Sequence, residues 1–307
     1  MSEARGHFGG GPSADGEDVA ELRAHLPPVS EARGHFGGGP SADGEDVAEL
    51  RAHLPPVSEA ETALFEYVVG LADDALISAQ RMGWWISRAP ELEEDLALAN
   101  IGLDQLGQAR TLLAYAGQVE GVGRGEDDLA YFRDEREFRN VCLVERPQTD
   151  FAVAMARLLL FATWQHELYS GLARSADATL AGVAGKAVKE VAYHVDHAER
   201  WVVRLGDGTE ESHERMQAAL DAEWPWLEEL FNPVEADLLL AGVAVDPGEV
   251  RPAVLRRLEA VVDEATLILP AMTPRVAHGR AGLHTEHLGL LLAEMQHLAR
   301  SHPGATW

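Results

Sequence analysis

The stretch "KEVAYHVDH", residues 189–197, decides how this chain is read. It carries Glu190, His194 and His197, which at about 100° per residue fall within roughly 60° of one another on a helix. A carboxylate and two imidazoles on one helix face are the raw material of a carboxylate-bridged di-iron site. In such a site two helices of a four-helix bundle each give a Glu, and the other two each give Glu-x-x-His. The spacing here is off by one, because the position three after Glu190 is Tyr193 and the imidazole falls at His194. The question is whether this bundle holds a metal pair or has lost the ligands for one.

Outward from that stretch, the hydrophobic spacing predicts a helix over 178–205, with Ala184, Val188, Val191, Val195 and Val202 on one stripe. The segment 151–175 is apolar nearly all round, which predicts a central helix. Phe65, Val68, Ala72, Leu76, Ala79 and Met82 recur at spacings of three and four, giving a first helix from about residue 61. Pro90, followed by Glu91, Glu93, Glu94 and Asp95, starts a second that runs to about Gly117. Between them and the central helix, residues 118–149 are Gly-rich and then charged, with one short helix expected over 127–139. Three more helices are expected over 210–231, 248–268 and 283–301, the second capped by Asp246-Pro247-x-Glu249. No segment alternates apolar and polar residues as a strand does. The expected fold is all-α, a ferritin-like four-helix bundle with additional C-terminal helices, whose one long connection falls between its second and third helices.

The first 57 residues stand apart. Residues 2–29 recur letter for letter as 30–57, and Ser58-Glu59-Ala60 opens a third copy that diverges at once. Two units are too few for a solenoid, and each offers only a short helix and a Pro-Pro stop. The expectation is a flexible tail over 1–57, made of a 28-residue tandem duplication, and a helical domain over 58–307.

Composition narrows the partners. A net charge of −26 repels nucleic acid and anionic membrane surfaces, where affinity comes from Lys and Arg. Only Lys186 and Lys189 are lysines. The single Cys142 leaves no internal disulfide and no Cys-based zinc site, which fits a reducing compartment. The longest apolar run, 151–164, is interrupted by Arg157 and is too short to span a bilayer. A soluble, cytoplasmic protein is expected.

Chemistry-bearing residues are few. On the second helix Asp104 is the best-placed acid, but three residues later stands Gly107. The third helix offers Glu167 beside His166, and the fourth offers Glu190, His194 and His197. The set Asp104, Glu167, Glu190, His194 and His197 is therefore a degenerate-site candidate, short of the six or so ligands that two iron ions need. The alternative is a packed seam flanked by hydrogen-bonded Glu and His. Glu-x-x-His does occur, as Glu210/His213 and Glu294/His297, but neither pair faces another across the bundle. His284 and His287, with His278 upstream, lack the third and fourth ligands zinc requires and are expected to serve in capping or interface contacts. No nucleophile elbow or P-loop is present, and "GVGRG" (121–125) follows no strand.

Several long stretches carry a family resemblance: "APELEEDLALANIGLDQLGQAR" (89–110), "FRDEREFRN" (132–140), "KAVKEVAYH" (186–194), "RLGDGT" (204–209), "GLHTEHLG" (282–289), "LAEMQ" (292–296) and "PGATW" (303–307). In this order they resemble PaaC, the C-subunit family of the 1,2-phenylacetyl-coenzyme A epoxidase, over about 62–307. The resemblance implies a ferritin-like subunit of a multicomponent monooxygenase that epoxidises the ring of phenylacetyl-coenzyme A in aerobic phenylacetate breakdown. It implies a separate A subunit that holds the di-iron centre and the substrate, a B subunit that aids assembly, and a reductase with FAD, an iron–sulfur cluster and NADPH. For the chain itself it implies no catalytic residue and no cofactor. Two other readings stay open: an autonomous metal-dependent oxygenase with an irregular site, and a subunit that holds coenzyme A phosphates at Lys186 and Lys189. A homodimer in the absence of partners is also compatible with the sequence.

Overall fold

Helix α1 (Glu59–Gly83) begins where the third copy of the N-terminal repeat departs from the first two. The fourth residue of those copies is Arg5 or Arg33; here it is Glu61. That exchange completes a capping box. Ser58 Oγ accepts from Glu61 N at 3.2 Å, and Glu61 Oε2 accepts from Ser58 N at 2.9 Å. The computed structural model describes residues 58–305. The expected tail over 1–57 lies outside the described residues, as do Thr306 and Trp307 of the closing motif.

Four long helices follow the expected order. Helix α1 pairs along its length with α2 (Leu92–Glu120). After the crossover, which contains the short helices α3 (Glu126–Tyr131) and α4 (Cys142–Glu145), helix α5 (Phe151–Leu172) pairs with α6 (Ala178–Gly206). The two hairpins meet through α2 and α6. Helix α5 is buried on nearly every side, because α7 (Glu210–Glu223) and α9 (Pro247–Glu264) cover the faces that α6 leaves. A short α8 (Ala236–Leu240) and a closing α10 (Glu286–Ser301) complete an all-α, ferritin-like bundle with added C-terminal helices. Among the described residues there is no strand, only one isolated antiparallel bridge between His278 and Leu283. No helix among them is long and apolar enough to cross a membrane.

Departures from the sequence expectation have local causes. The segment expected as one helix over 210–231 changes from α to 3-10 at Trp224, since Pro225 supplies no N–H and its ring crowds the preceding turn. The helix expected over 127–139 stops at Tyr131, and the chain unwinds so that Arg133 and Arg139 both reach α1. The helix expected to reach residue 268 ends at Glu264, where Thr266 turns into the left-handed region with φ 57°.

Between α3 and α4 residues 138–141 run largely buried outside any helix, so their backbone N–H groups need acceptors from elsewhere. Carboxylates on neighbouring elements supply them. Asp73 accepts from Arg139 N at 2.8 Å, and Asp74 accepts from Val141 N at 2.8 Å. Glu229 accepts from Cys142 N and from Gly279 N, each at 2.7 Å. Gly279 has no substitute here, because a Cβ would meet the Asn140 carbonyl at 2.1 Å. Two of these acids are balanced nearby: Arg133 pairs with Asp73, and Arg280 with Asp74. Arg157, the buried charge of the largely apolar α5, binds Glu223 at 3.0 Å and the carbonyls of Arg146 and Pro147.

His284 is the clearest charge in this network. Its side chain and that of Glu145 are both fully buried. Its Nδ1 lies 2.8 Å from Glu145 Oε2 and its Nε2 lies 3.0 Å from the Phe138 carbonyl. Both partners are acceptors, so both ring nitrogens donate and the ring is an imidazolium. Burial alone would lower its pKa, but the Glu145 carboxylate and the Phe138 carbonyl raise it above the ordinary histidine value. His284 is thus an internal strut, while His287 stands at the surface beside Glu286.

Two outcomes follow from these contacts. Asp73→Ala strands the buried Arg133 guanidinium and is expected to cost about 3–5 kcal/mol in chemical denaturation. A raised folded-state pKa makes the His284 contribution fully present below the unfolded value near 6.5 and lost as pH climbs through the folded value. Denaturation midpoints measured from pH 6 to 9 should therefore fall with a slope that His284→Asn removes.

Candidate functional site

The seam where α2, α5 and α6 meet is polar. Gln105 on α2 and Gln165 on α5 are both buried and exchange amide hydrogen bonds, Gln105 Nε2 to Gln165 Oε1 at 2.7 Å and Gln165 Nε2 to Gln105 Oε1 at 3.2 Å. Gln165 Nε2 also lies 3.2 Å from Gln108 Oε1 and 3.4 Å from the Tyr169 hydroxyl. From α6, His194 brings Nδ1 to 3.5 Å from Gln105 Nε2. Its Nε2 is 3.1 Å from Asp104 Oδ2. Gln108 Nε2 donates to Glu190 Oε2 at 3.2 Å, and Lys186 caps the other Glu190 oxygen at 3.1 Å. The cluster is a closed chain of amides with one acid at each end.

Three of the residues singled out in the sequence are gathered here, namely Asp104, Glu190 and His194. His197 lies a turn further along, its Nε2 3.2 Å from Glu94 Oε2 without completing a hydrogen bond, while Trp201 Nε1 donates to the same oxygen at 2.7 Å. Glu167 is elsewhere, half-exposed on the outer side of α5 and 3.4 Å from its neighbour His166. Burial lowers the pKa of His194 against the opposing pull of Asp104, and burial likewise lowers that of His197 against Glu94. Both rings are therefore held neutral near pH 7.

The motif positions also shift. On α2 the inward residues three apart are Gln105 and Gln108, rather than Asp104 and Gly107. On α6 they are Val191 and His194, both fully buried, rather than Glu190 and Tyr193. The buried inward positions of α2, α5 and α6 thus hold Gln105, Gln165 and Val191, none of them an acid. A search of the sequence for charged or imidazole ligands passes over the glutamines, although their spacing of three is visible there.

These residues do not fit a di-iron centre. An amide gives no negative charge to offset two cations, and the amide nitrogens donate into the space that metal ions would occupy. The acids stand at the margins, with the Asp104 side chain 36% exposed. Among the described residues no three His, Cys, Asp or Glu side chains are grouped so as to hold a metal ion. Nor does the lysine pair form a phosphate cradle, since Lys186 is exposed and already paired with Glu190.

Comparison with known proteins agrees with the family resemblance. The family model described as "Phenylacetic acid catabolic protein" matches residues 49–307. The chain belongs to this phenylacetic acid catabolic protein family. A curated relative, the C subunit of the 1,2-phenylacetyl-CoA epoxidase from Escherichia coli (strain K12), is 46% identical over 246 residues. The alignment covers 80% of this chain and 99% of that relative. Within this family member, then, the place expected for metal ligands is taken by neutral side chains that satisfy one another.

The seam's role can be measured. Gln165→Leu removes a partner from both Gln105 and Gln108 and is expected to cost about 1–3 kcal/mol in denaturation. Gln165→Glu places a buried carboxylate without a cation, so its cost should grow as pH rises and the acid ionises.

Proposed function

We propose that this chain is a supporting, non-catalytic subunit of a multicomponent 1,2-phenylacetyl-coenzyme A epoxidase in aerobic phenylacetate degradation. It binds and stabilises a catalytic A subunit of similar fold, which holds the di-iron centre and the substrate. A B subunit and a reductase carrying FAD, an iron–sulfur cluster and NADPH complete the cytoplasmic assembly. The reading rests on the relationship to the Escherichia coli protein together with one observation, the Gln105–Gln165 pair at the point where a metal site would need acids. Such a supporting chain contributes through its rigidity: its bundle is closed by internal hydrogen bonds and needs no cofactor to fold. No iron ligand and no catalytic residue is assigned to it.

Iron quantitation tests the proposal. The chain purified alone, without chelator, should carry no stoichiometric iron and show no oxygenase activity. Co-expression with the catalytic A subunit should yield a stable complex whose iron belongs to the A subunit. About two irons per chain in the isolated protein, lost when His194 and His197 are replaced, would instead establish an autonomous metalloenzyme. Failure of the two proteins to co-purify would remove the supporting role.

A further inference from the structure

Helix α2 carries a second apolar face, turned away from the glutamine seam. Leu92, Leu96, Ala99, Leu103 and Leu106 recur at alternating spacings of four and three, which aligns them along one side of a helix for about 21 Å. The four leucines are 69%, 60%, 64% and 36% exposed. The same helix buries Leu98, Ile101, Gln105 and Leu112 toward the core, so this row lies on the opposite side. The helices packed on α2, chiefly α1, α6 and α3, leave it open. Single exposed leucines are ordinary, whereas a continuous exposed row marks a contact surface.

The row's own symmetry says what fits it. Read from either end it gives two leucines, an alanine and two leucines at nearly the same spacing. A second α2 laid antiparallel therefore sets Leu92 against Leu106 and Leu96 against Leu103, with Ala99 meeting its own copy at the axis. The four-three spacing is the one by which neighbouring helices interlock their side chains. A patch that meets itself through a two-fold axis is the isologous geometry of most homodimers.

Charge follows the same symmetry. Helix α6 runs antiparallel to α2, with Trp201 beside Glu94, His194 beside Asp104 and Glu190 beside Gln108. Most charges along the row are paired within the chain: Arg110 with Glu126, Lys186 with Glu190, and Glu91 with Arg204. Among the described residues two exposed charges beside it have no ion pair, Glu93 at the Leu92 end and Lys189 at the Leu106 end. An antiparallel second copy brings the lysine of one chain to the carboxylate of the other, whereas a parallel copy would set like charges together. Tyr193, half-exposed on α6 next to His194, widens the apolar surface on that flank.

We propose that the leucine row of α2 is a homodimer contact, in which two copies of this chain meet antiparallel about a two-fold axis at Ala99. Burial of the leucines supplies the attraction, and Lys189 of one copy opposite Glu93 of the other sets the direction. The inference stands apart from the supporting role proposed above, since it concerns the chain on its own.

Sedimentation velocity of the full chain alone, over the micromolar range, should show a dimer. Leu96→Glu or Leu103→Glu should weaken it by roughly a hundredfold, because the two-fold axis places each change in the contact twice. Leu290→Glu, at a comparably exposed leucine on α10, should leave it unchanged. Ala99→Cys should give a disulfide-linked dimer on mild oxidation, while the parent, whose Cys142 is buried, should not. Circular dichroism establishes that each variant is folded. A monomer throughout that range would overturn the proposal. So would a dimer that survives both glutamates, or an Ala99→Cys variant that stays unlinked. A monomer whose leucine variants instead fail to co-purify with the A subunit would assign the row to that partner and overturn it as well.

Discussion

The Gln105–Gln165 amide pair is the interaction on which this bundle's character turns. Two helical hairpins have to close against each other across a polar seam. Acids at that seam would repel one another unless a cation lay between them. Side-chain amides meet the same geometric need without charge, because each carries both a donor and an acceptor. His194, kept neutral by burial, and Tyr169 join the same chain. The helices therefore approach and pack through neutral side chains that satisfy one another.

Charge has been moved to the crossover. There the carboxylates of Asp73, Asp74, Glu145 and Glu229 accept bonds from backbone and side chains that no helix or sheet could satisfy. Burial pushes Asp74 up to about 6, against the pull of Arg280 and the Val141 N–H, which shows what such an arrangement costs. Arg133, Arg280 and the His284 imidazolium offset that cost by pairing with Asp73, Asp74 and Glu145. One interior thus contains two regimes: a neutral seam between hairpins, and an ionic knot that fixes the irregular chain joining them.

Most of the architecture was legible in the sequence because apolar spacing is a local signal. Val191, Val195 and Val202 on α6 and the continuous apolar run of α5 both reported their burial correctly. The short helix α8 was not foreseen, since five residues carry too little periodicity to register. The end of α3 depends on Arg133 reaching Asp73 sixty residues upstream, which no window on the sequence contains. For the candidate site, His194, Asp104 and Glu190 were found by chemical type, but the residues that set the seam's character were glutamines. Their meaning emerges only when helices from different parts of the chain are brought together. Glu167 shows the converse error, a ligand type on the outward face of a buried helix.

The capping box at Ser58 and Glu61 has a consequence for how this gene can change. Each upstream unit opens with the same Ser-Glu-Ala, and the fourth residue is where α1 departs from another repeat. The register of α1 is therefore set from within, by four residues at its own start. Lengthening or trimming the preceding sequence in whole units leaves that local instruction intact.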